Sequence, residues 1–206
     1  HSPPFAVQKN TVEEPRALGT KVMNSAVIIL AAGMGTRMQS DLPKVLHKVA
    51  GAPLLIHSMR AGDGIDAQKT IIVAGHGAEL VEKVALDYNP DAQIVIQSEQ
   101  LGTGHAVDQA RSALDGFDGD VFILYGDTPF ISADTLSKMA DARANGASVV
   151  VLGFDVPPPS GYGRLVMAAD GSLDAIVESK DATDAQKSIR LCNSGVICAP
   201  SALLFD

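Results

Sequence analysis

Apolar residues recur along the chain in two alternating patterns that begin at Ser25. Short unbroken apolar runs are typical of parallel strands buried on both faces, and apolar residues spaced three or four apart are typical of amphipathic helices. The runs predicted as strands are SAVIILAAG, TIIVAGHG, AQIVIQ, DVFILYGD and SVVVLGFDV. The segments predicted as helices are PLLIHSMRAG, AELVEKVALDY, TGHAVDQARSAL and ISADTLSKMADARANG.

This alternation predicts an α/β fold whose mostly parallel central sheet carries helices on both faces. Two of the helices also have recognisable end signals. Thr103 stands where it can cap the helix TGHAVDQARSAL. Ser132 or Asp134 can cap the helix that follows, and Gly146 is placed to end that helix.

The alternation changes after the prolines at 157–159. Residues 163–178 predict a small β-hairpin, because Asp170-Gly171 is a favourable turn between two alternating runs. The segment IRLCNSGVICAP predicts a further strand, and Pro200 can open a helix.

The two ends of the chain differ from the regular region between them. Residues 1–24 lack periodicity, so we expect a flexible N-terminal tail, in which His1-Ser2 is part of an expression tag. Residues 25–206 are expected to form the folded domain. The chain stops within an apolar pattern, LLFD, and this predicts a domain that is incomplete at its C-terminus.

Composition narrows the class of protein. Apolar residues make up 46% of the sequence, as in globular proteins. The formal charge of −8 disfavours nucleic-acid binding through the overall field. No apolar run approaches the ~18 residues needed to span a bilayer, so we expect a cytoplasmic protein without a membrane partner. The two cysteines, Cys192 and Cys198, form neither a disulfide framework nor a metal signature.

The first predicted strand leads into a glycine-rich loop that contains Gly33, Gly35, Thr36 and Arg37, and Lys44 follows. The loop should lie at the carboxyl edge of the sheet, where open α/β sheets bind ligands. Glycines let backbone N–H groups approach phosphate oxygens, and two cations can neutralise a triphosphate. Three alternatives are weaker. A dinucleotide-binding fingerprint requires glycine where this sequence has Met38, and a Walker loop requires G-K-[ST], which this sequence lacks. A plain structural turn explains the glycines but not the two cations.

Asp127 comes directly after the strand DVFILYG. A carboxylate at the carboxyl edge of a strand, beside a glycine, is well placed to hold Mg²⁺. The alternative is an ordinary turn aspartate. A triphosphate-binding loop on a neighbouring strand favours the metal.

These motifs together resemble a known family. LAAGMGTRM followed by LPK resembles the signature loop of sugar-nucleotide pyrophosphorylases, and SDLPKVLHKVAGAPLL resembles the uridyltransferase half of the bacterial bifunctional enzymes that acetylate and then uridylate glucosamine-1-phosphate. The resemblance runs from about Ala26 to the last residue. It implies a Rossmann-like nucleotidyltransferase fold and transfer of UMP from UTP to N-acetylglucosamine-1-phosphate, with release of pyrophosphate, for cell-wall precursor synthesis.

The resemblance also implies roles for individual residues. Phosphate-binding catalytic roles fall on Arg37 and Lys44, and Asp127 becomes a Mg²⁺ ligand. The implied nucleotide-binding residues are Leu30, Ala31, Ala32, Gly33, Gly35, Thr36, Gln97, Gln100, Gly102 and Thr103. The implied sugar-binding residues are Tyr125, Gly126, Gly163, Glu178 and Asn193. His105 is predicted to be structural.

In the family pattern, an asparagine beyond the position of Asp206 is a second metal ligand, and an acetyltransferase half builds trimers. We therefore expect weak metal binding and low activity from this chain, a monomer for the chain alone and a homotrimer for the full-length enzyme. Two alternatives stay open: a related nucleotidyltransferase with another base or sugar, and a non-catalytic module that binds nucleotide sugars.

Overall fold

The computed structural model describes residues 24–33, 40 and 42–205, together with the backbone of residues 6–9. The chain forms two compact units. The first unit comprises residues 22–137 and 200–206, and the second comprises residues 1–21 and 138–199.

The regular elements agree closely in position with the sequence pattern. The strands are β1 (Ala6–Lys9), β2 (Ser25–Ala31), β3 (Lys48–Val49), β4 (Ala52–Pro53), β5 (Lys69–Ala74), β6 (Gln93–Ile96), β7 (Asp120–Tyr125), β8 (Val150–Asp155), β9 (Arg164–Met167), β10 (Leu173–Val177) and β11 (Leu191–Pro200). The α-helices are α1 (Leu54–Asp63), α2 (Ala78–Tyr88), α3 (Thr103–Asp108), α4 (Ala133–Ala144), α5 (Asp184–Lys187) and α6 (Ser201–Leu204). Short 3₁₀ helices occupy Lys44–Leu46 and Ser112–Leu114.

The first unit contains a parallel sheet in the strand order β7-β2-β5-β6. The central strand β2 pairs with β5 on one side, with Leu30 opposite Val73, and with β7 on the other, with Leu30 opposite Tyr125. The predicted α/β class and its mostly parallel, Rossmann-like sheet are therefore confirmed.

Burial explains why this sheet forms. Residues 26–29 of β2 and residues 71–74 of β5 are completely buried, as expected of strands that are covered on both faces. α1 packs closely on β2, because a Cβ placed on Gly62 would lie only 3.0 Å from Cγ2 of Val27. None of the helices in the described part of the chain is long and apolar enough to cross a membrane.

α3 is shorter than the sequence predicts. The predicted helix 103–114 ends at Asp108. A hydrogen bond of the tighter 3₁₀ type, from the N–H of Ala110 to the carbonyl of Val107, then leads toward the 3₁₀ helix at Ser112–Leu114. The predicted cap is also wrong: Gly102 is the N-cap residue, and Thr103 is already the first residue of the helix. The glycine has φ +101°, a backbone conformation that threonine adopts only with strain.

The second unit is built mainly on antiparallel pairs. β8 pairs antiparallel with β11, while β1, within the segment predicted to be a tail, pairs in parallel with β8. β9 and β10 form the predicted hairpin, whose turn has Gly171 at φ +84°. Cys192 and Cys198 are buried on β11, so both behave as small core residues.

The signals predicted at the ends of α4 and α6 agree with the structure. Oγ of Ser132 accepts a hydrogen bond from the backbone N–H of Thr135 at 3.2 Å, so Ser132 rather than Asp134 caps α4. Gly146 follows the end of α4 with φ +101°. Pro200 is the N-cap residue of α6, as its position in the sequence indicates.

We expect Ser132→Ala to lower the free energy of unfolding by about 1 kcal/mol, because the orphan N–H at the start of α4 loses its acceptor. Ser137→Ala is the matched control within the same helix. Alanine has the higher helix propensity there, so that variant should be neutral or more stable by up to about 0.5 kcal/mol. Urea unfolding monitored by circular dichroism measures both changes. Equal effects of the two substitutions would contradict the cap.

Candidate nucleotide-binding site

The carboxyl ends of β2 and β7 lie side by side at one edge of the first sheet. Leu30 pairs with Tyr125, and the N–H of Gly126 donates to the carbonyl of Leu30 at 2.9 Å. Ala31 and Ala32, at the end of β2, are buried, and Gly33 is exposed. The structure thus brings together the segments that follow two separate strands. The predicted site residues Gly35, Thr36 and Arg37 lie outside the described residues.

Lys44 and Asp127 form an ion pair at this edge. Nζ of Lys44 lies 2.5 Å from Oδ2 of Asp127, and the two side chains are 41% and 31% exposed. Val45 and Leu46, which follow Lys44 in the 3₁₀ helix, are buried and anchor the lysine. From the sequence, Lys44 was expected to bind phosphates and Asp127 to bind Mg²⁺, but their direct contact was not predicted.

The turn after β7 is tightly packed. A Cβ placed on Gly126 would lie 3.1 Å from Cγ1 of Val45 and 3.3 Å from the carbonyl oxygen of Leu30. The carbonyl of Tyr125 accepts hydrogen bonds from the hydroxyls of Ser58 and Thr128, each at 2.9 Å. These contacts hold Asp127 in a fixed turn, and Gly126 is needed there for its small size.

Gln97 organises the loop between β6 and α3. Its side chain is only 6% exposed, and its Nε2 donates to the carbonyl of Gly102 at 3.2 Å. Its backbone N–H donates to the carbonyl of Ala74, at the end of β5. The amide nitrogen of Gln97 is therefore used within the loop, and the exposed backbone of Gly102 is what the loop presents to its surroundings.

Gln100 joins this loop to the first one. Its Nε2 donates to the carbonyl of Ala32 at 2.8 Å. Because Ala32 directly precedes Gly33, the bond ties the loop after β6 to the start of the glycine-rich loop. Thr103 is exposed at the beginning of α3. The predicted nucleotide-binding roles of these residues remain predictions, whereas their convergence is a feature of the structure.

His105 is more closely involved than the sequence indicates. Its Nδ1 lies 3.1 Å from Nε2 of Gln97, and its Nε2 lies 3.2 Å from Nε2 of Gln109. A neutral imidazole has one acceptor nitrogen, so the ring accepts from one of these two amides, and the tautomer decides which. The imidazole therefore lies within hydrogen-bonding distance of both Gln97 and Gln109 and connects the side chain of Gln97 to α3. The sequence held one signal for this contact: His105 and Gln109 are four residues apart in a predicted helix, so their side chains lie on the same face.

The other predicted sugar-binding residues lie in the second unit and are close to one another there. The backbone N–H of Asn193 donates to the carbonyl of Gly163 at 2.8 Å. A Cβ placed on Gly163 would lie 3.3 Å from Oε1 of Glu178, so the carboxylate lies directly against the glycine. Oδ1 of Asn193 accepts from the N–H of Gly195 at 2.9 Å. The three residues are thus neighbours in the structure, and their sugar-binding role remains a prediction.

The chemistry available in the first unit is that of charge and positioning. A lysine and a carboxylate meet at the carboxyl edge of a parallel sheet, beside loops that expose backbone groups. Across the described residues, no group of three or more His, Cys, Asp or Glu side chains is placed to hold a metal ion. The fold and the position of this site are those of an α/β protein that binds its ligand at the carboxyl edge of a parallel sheet.

The chain belongs to the family described as the MobA-like NTP transferase domain, which matches residues 27–193. It is 60% identical over 185 residues to the bifunctional protein GlmU of Roseobacter denitrificans. It is 57% identical over 183 residues to the protein of the same name from Ruegeria pomeroyi. Each match covers 89% of this chain and 40% of the relative, so the chain spans less than half the length of these relatives.

Solved structures support the fold. HddC from Yersinia pseudotuberculosis superposes with a TM-score of 0.70 at 24% identity, covering 88% of this chain and 79% of the other. The same protein complexed with GMP-PN gives a TM-score of 0.69 at 24% identity, with the same coverage. At this identity the likeness concerns the fold alone.

We expect Gly102→Ala to destabilise the first unit by about 1–3 kcal/mol, because its backbone, with φ +101° and ψ −178°, is strongly disfavoured for any other residue. Gly104→Ala is the matched control two residues away. Both glycines have open space where a Cβ would stand, but only Gly102 has a positive φ. Gly104→Ala should therefore be stabilising by about 0.5–1 kcal/mol. Similar unfolding midpoints in urea for the two variants would contradict the assigned strain.

Proposed function

We propose that this chain transfers UMP from UTP to N-acetylglucosamine-1-phosphate, forming UDP-N-acetylglucosamine and pyrophosphate. The observation that carries the proposal is the meeting of Lys44 with Asp127 at the carboxyl edge of the sheet, in a chain that is 60% identical to a GlmU protein over 89% of its length. The product would serve as a precursor of the cell wall, and we place the reaction in the cytoplasm.

The reaction needs alignment and charge neutralisation rather than a protein nucleophile. An oxygen of the sugar 1-phosphate attacks the α-phosphorus of UTP in line, a new P–O bond forms, and the bond to the pyrophosphate group breaks. Arg37 and Lys44 hold the phosphates and offset their mutual repulsion. Because Lys44 contacts Asp127, phosphate oxygens compete with that carboxylate for the ammonium group.

The nucleotide is held by the loops at the first edge. The glycine-rich loop, from Leu30 to Thr36, offers backbone N–H groups to the phosphates. Gln97, Gln100, Gly102 and Thr103 form the uridine subsite. In this assignment the exposed backbone of Gly102 meets the base, while the buried Gln97 amide supports the loop from behind.

The sugar is held mainly by residues of the second unit. Gly163 presents its backbone N–H, and Glu178 and Asn193 hydrogen-bond the hydroxyl and acetamido groups of the sugar. The closeness of these three residues supports the assignment. For Tyr125 and Gly126, in the turn after β7 of the first unit, a role in sugar binding is a separate proposal.

Asp127 is placed to bind a magnesium ion whose other ligands would come mostly from the phosphates of the substrates. Mg²⁺ takes oxygen ligands, and one or two protein carboxylates often suffice when phosphates supply the rest. The Asp127 side chain is 31% exposed at the carboxyl edge of the sheet, so its carboxylate is accessible to an ion there, and the Lys44 ammonium that now lies 2.5 Å from Oδ2 would shift toward the phosphates. When bound, Mg²⁺ would neutralise phosphate charge.

We expect Lys44→Met to weaken UTP binding by about tenfold to a hundredfold, as for the loss of one charge-assisted hydrogen bond. Lys48→Met is the matched control, since it makes the same change in net charge at an exposed position of the same unit. It should change UTP binding less than about twofold at physiological salt, where an exposed charge that makes no direct contact with the nucleotide is screened.

Isothermal titration with UTP measures both affinities. Stability is followed in parallel, because the half-exposed ion pair should contribute less than about 1 kcal/mol. Equal losses of affinity in the two variants would contradict a direct contact between Lys44 and the phosphates.

We expect Asp127→Asn to raise the Mg²⁺ concentration required for half-maximal UTP binding about tenfold or more, because the ion loses a charged oxygen ligand. The control is Asp115→Asn, which neutralises an exposed carboxylate in the same unit. Titration of Mg²⁺ at fixed UTP provides the measurement. An unchanged Mg²⁺ midpoint in Asp127→Asn would remove the metal assignment.

A further inference from the structure

Arg164, the first residue of β9, is buried to an extent that is rare for a charged side chain. Arg164 is only 1% exposed, whereas charged residues are almost never fully buried unless they are paired. Nη1 donates to the carbonyl of Tyr162, and Nη2 donates to the carbonyls of Ser160 at 3.0 Å and Lys187 at 3.3 Å. Nε is buried and has no partner among the described residues.

The burial of Arg164 is offset by backbone carbonyls rather than by an opposite charge. Its recorded partners in the described chain are all backbone carbonyls, so no carboxylate compensates for the desolvation of its charge. An apolar side chain in its place would leave these carbonyls without that donor, which is destabilising where they are buried. The guanidinium therefore supplies something that an apolar residue would not, which is a rigid fork that joins three carbonyls.

Two of those carbonyls belong to the segment 160–163, which contains Gly163. The same segment is held at other points, because the carbonyl of Ser160 also accepts from Oγ of Ser179 at 3.2 Å. The ring of Tyr162 packs edge-on against Phe154, with 4.9 Å between the ring centroids. Among the described residues, Arg164 binds the carbonyls of both Ser160 and Tyr162, and it also joins the segment to the end of α5 through the carbonyl of Lys187.

The position of Gly163 depends on this segment. Gly163 lies between Tyr162 and Arg164 in sequence, and its carbonyl receives the N–H of Asn193 while Glu178 lies against its Cα. A shift of the segment would move Gly163 away from both neighbours. Arg164 thus influences the positions of the three residues assigned to the sugar, although it is not itself assigned to contact the sugar.

We propose that Arg164 is a positioning residue for the sugar subsite: its buried guanidinium holds the segment 160–163 so that Gly163, Glu178 and Asn193 meet the sugar together. The proposal rests on the proposed function. The proposal concerns the preference for a ligand that contains the sugar. The affinity for the uridine and phosphate portion of the ligand should not depend on Arg164.

The test compares the affinities of two ligands for the full chain by isothermal titration. UDP-N-acetylglucosamine contains the sugar, and UDP lacks it. We expect Arg164→Met to weaken UDP-N-acetylglucosamine about tenfold, the size typical of misplaced hydrogen-bond partners, while the affinity for UDP stays within about twofold of the original value. Arg164→Lys keeps the charge but not the fork, so it should also lose most of the preference for the sugar.

Leu165→Ala is the matched control. Leu165 is the neighbouring residue on β9, is completely buried, and packs in the apolar cluster with Val151 and Leu173. The substitution should lower the melting temperature of the protein through the cavity it creates. It leaves the bonds of Arg164 in place, so the ratio of the two affinities should not change.

Four outcomes would overturn the proposal. Arg164→Met could leave both affinities unchanged, or weaken both ligands equally. Arg164→Lys could bind like the original protein, or Leu165→Ala could lose the sugar preference to the same degree. If Arg164→Met does not fold, Arg164→Lys carries the same comparison. A failure of the proposed function is seen separately, because the unsubstituted chain would then show no preference for UDP-N-acetylglucosamine over UDP.

Discussion

The pairing of β2 with parallel strands on both sides is the constraint on which the first unit depends. Residues 26–29 are completely buried, so the strand is stable only as the centre of a covered sheet. Since β5 and β7 run in the same direction, their carboxyl ends meet at one edge. Loops that are far apart in sequence therefore converge there, and Lys44 can reach Asp127 across 83 positions of the chain.

That convergence explains how a strongly acidic protein could present the anion-binding site that we propose. The formal charge of −8 opposes the approach of a triphosphate from a distance. Within the site, however, the lysine and the exposed loop backbone supply local donors, and they act at short range where screening is weak. The ion pair with Asp127 keeps the lysine oriented toward the edge of the sheet, at a side-chain exposure of 41%.

Much of this arrangement could be predicted from the sequence. Unbroken apolar runs gave the parallel strands, and the bounds of α2 agree with the segment AELVEKVALDY. The positions of Lys44 and Asp127 at one edge followed from the topology. The family match over residues 27–193 agrees with the resemblance that the glycine-rich loop and LPK suggested.

Other features depend on tertiary contacts that periodicity does not encode. The antiparallel pairing of β11 with β8 is decided by packing, because the apolar pattern of a strand does not give its direction. α3 ends early although its sequence remains compatible with a helix. Arg164 would be placed at the surface by its charge, and only the backbone carbonyls around it explain its burial.

The central claim is that the chain recognises a uridine nucleotide carrying N-acetylglucosamine. The most direct measurement is a thermal-shift series with UDP-N-acetylglucosamine, UDP-glucose, TDP-glucose and CDP, each with and without Mg²⁺. At about a hundredfold excess over its Kd, a ligand should raise the melting temperature of a domain of this size by about 5–10 °C. The account predicts the largest shift with UDP-N-acetylglucosamine. A larger shift with TDP-glucose or CDP, or no shift with any of the four, would contradict it.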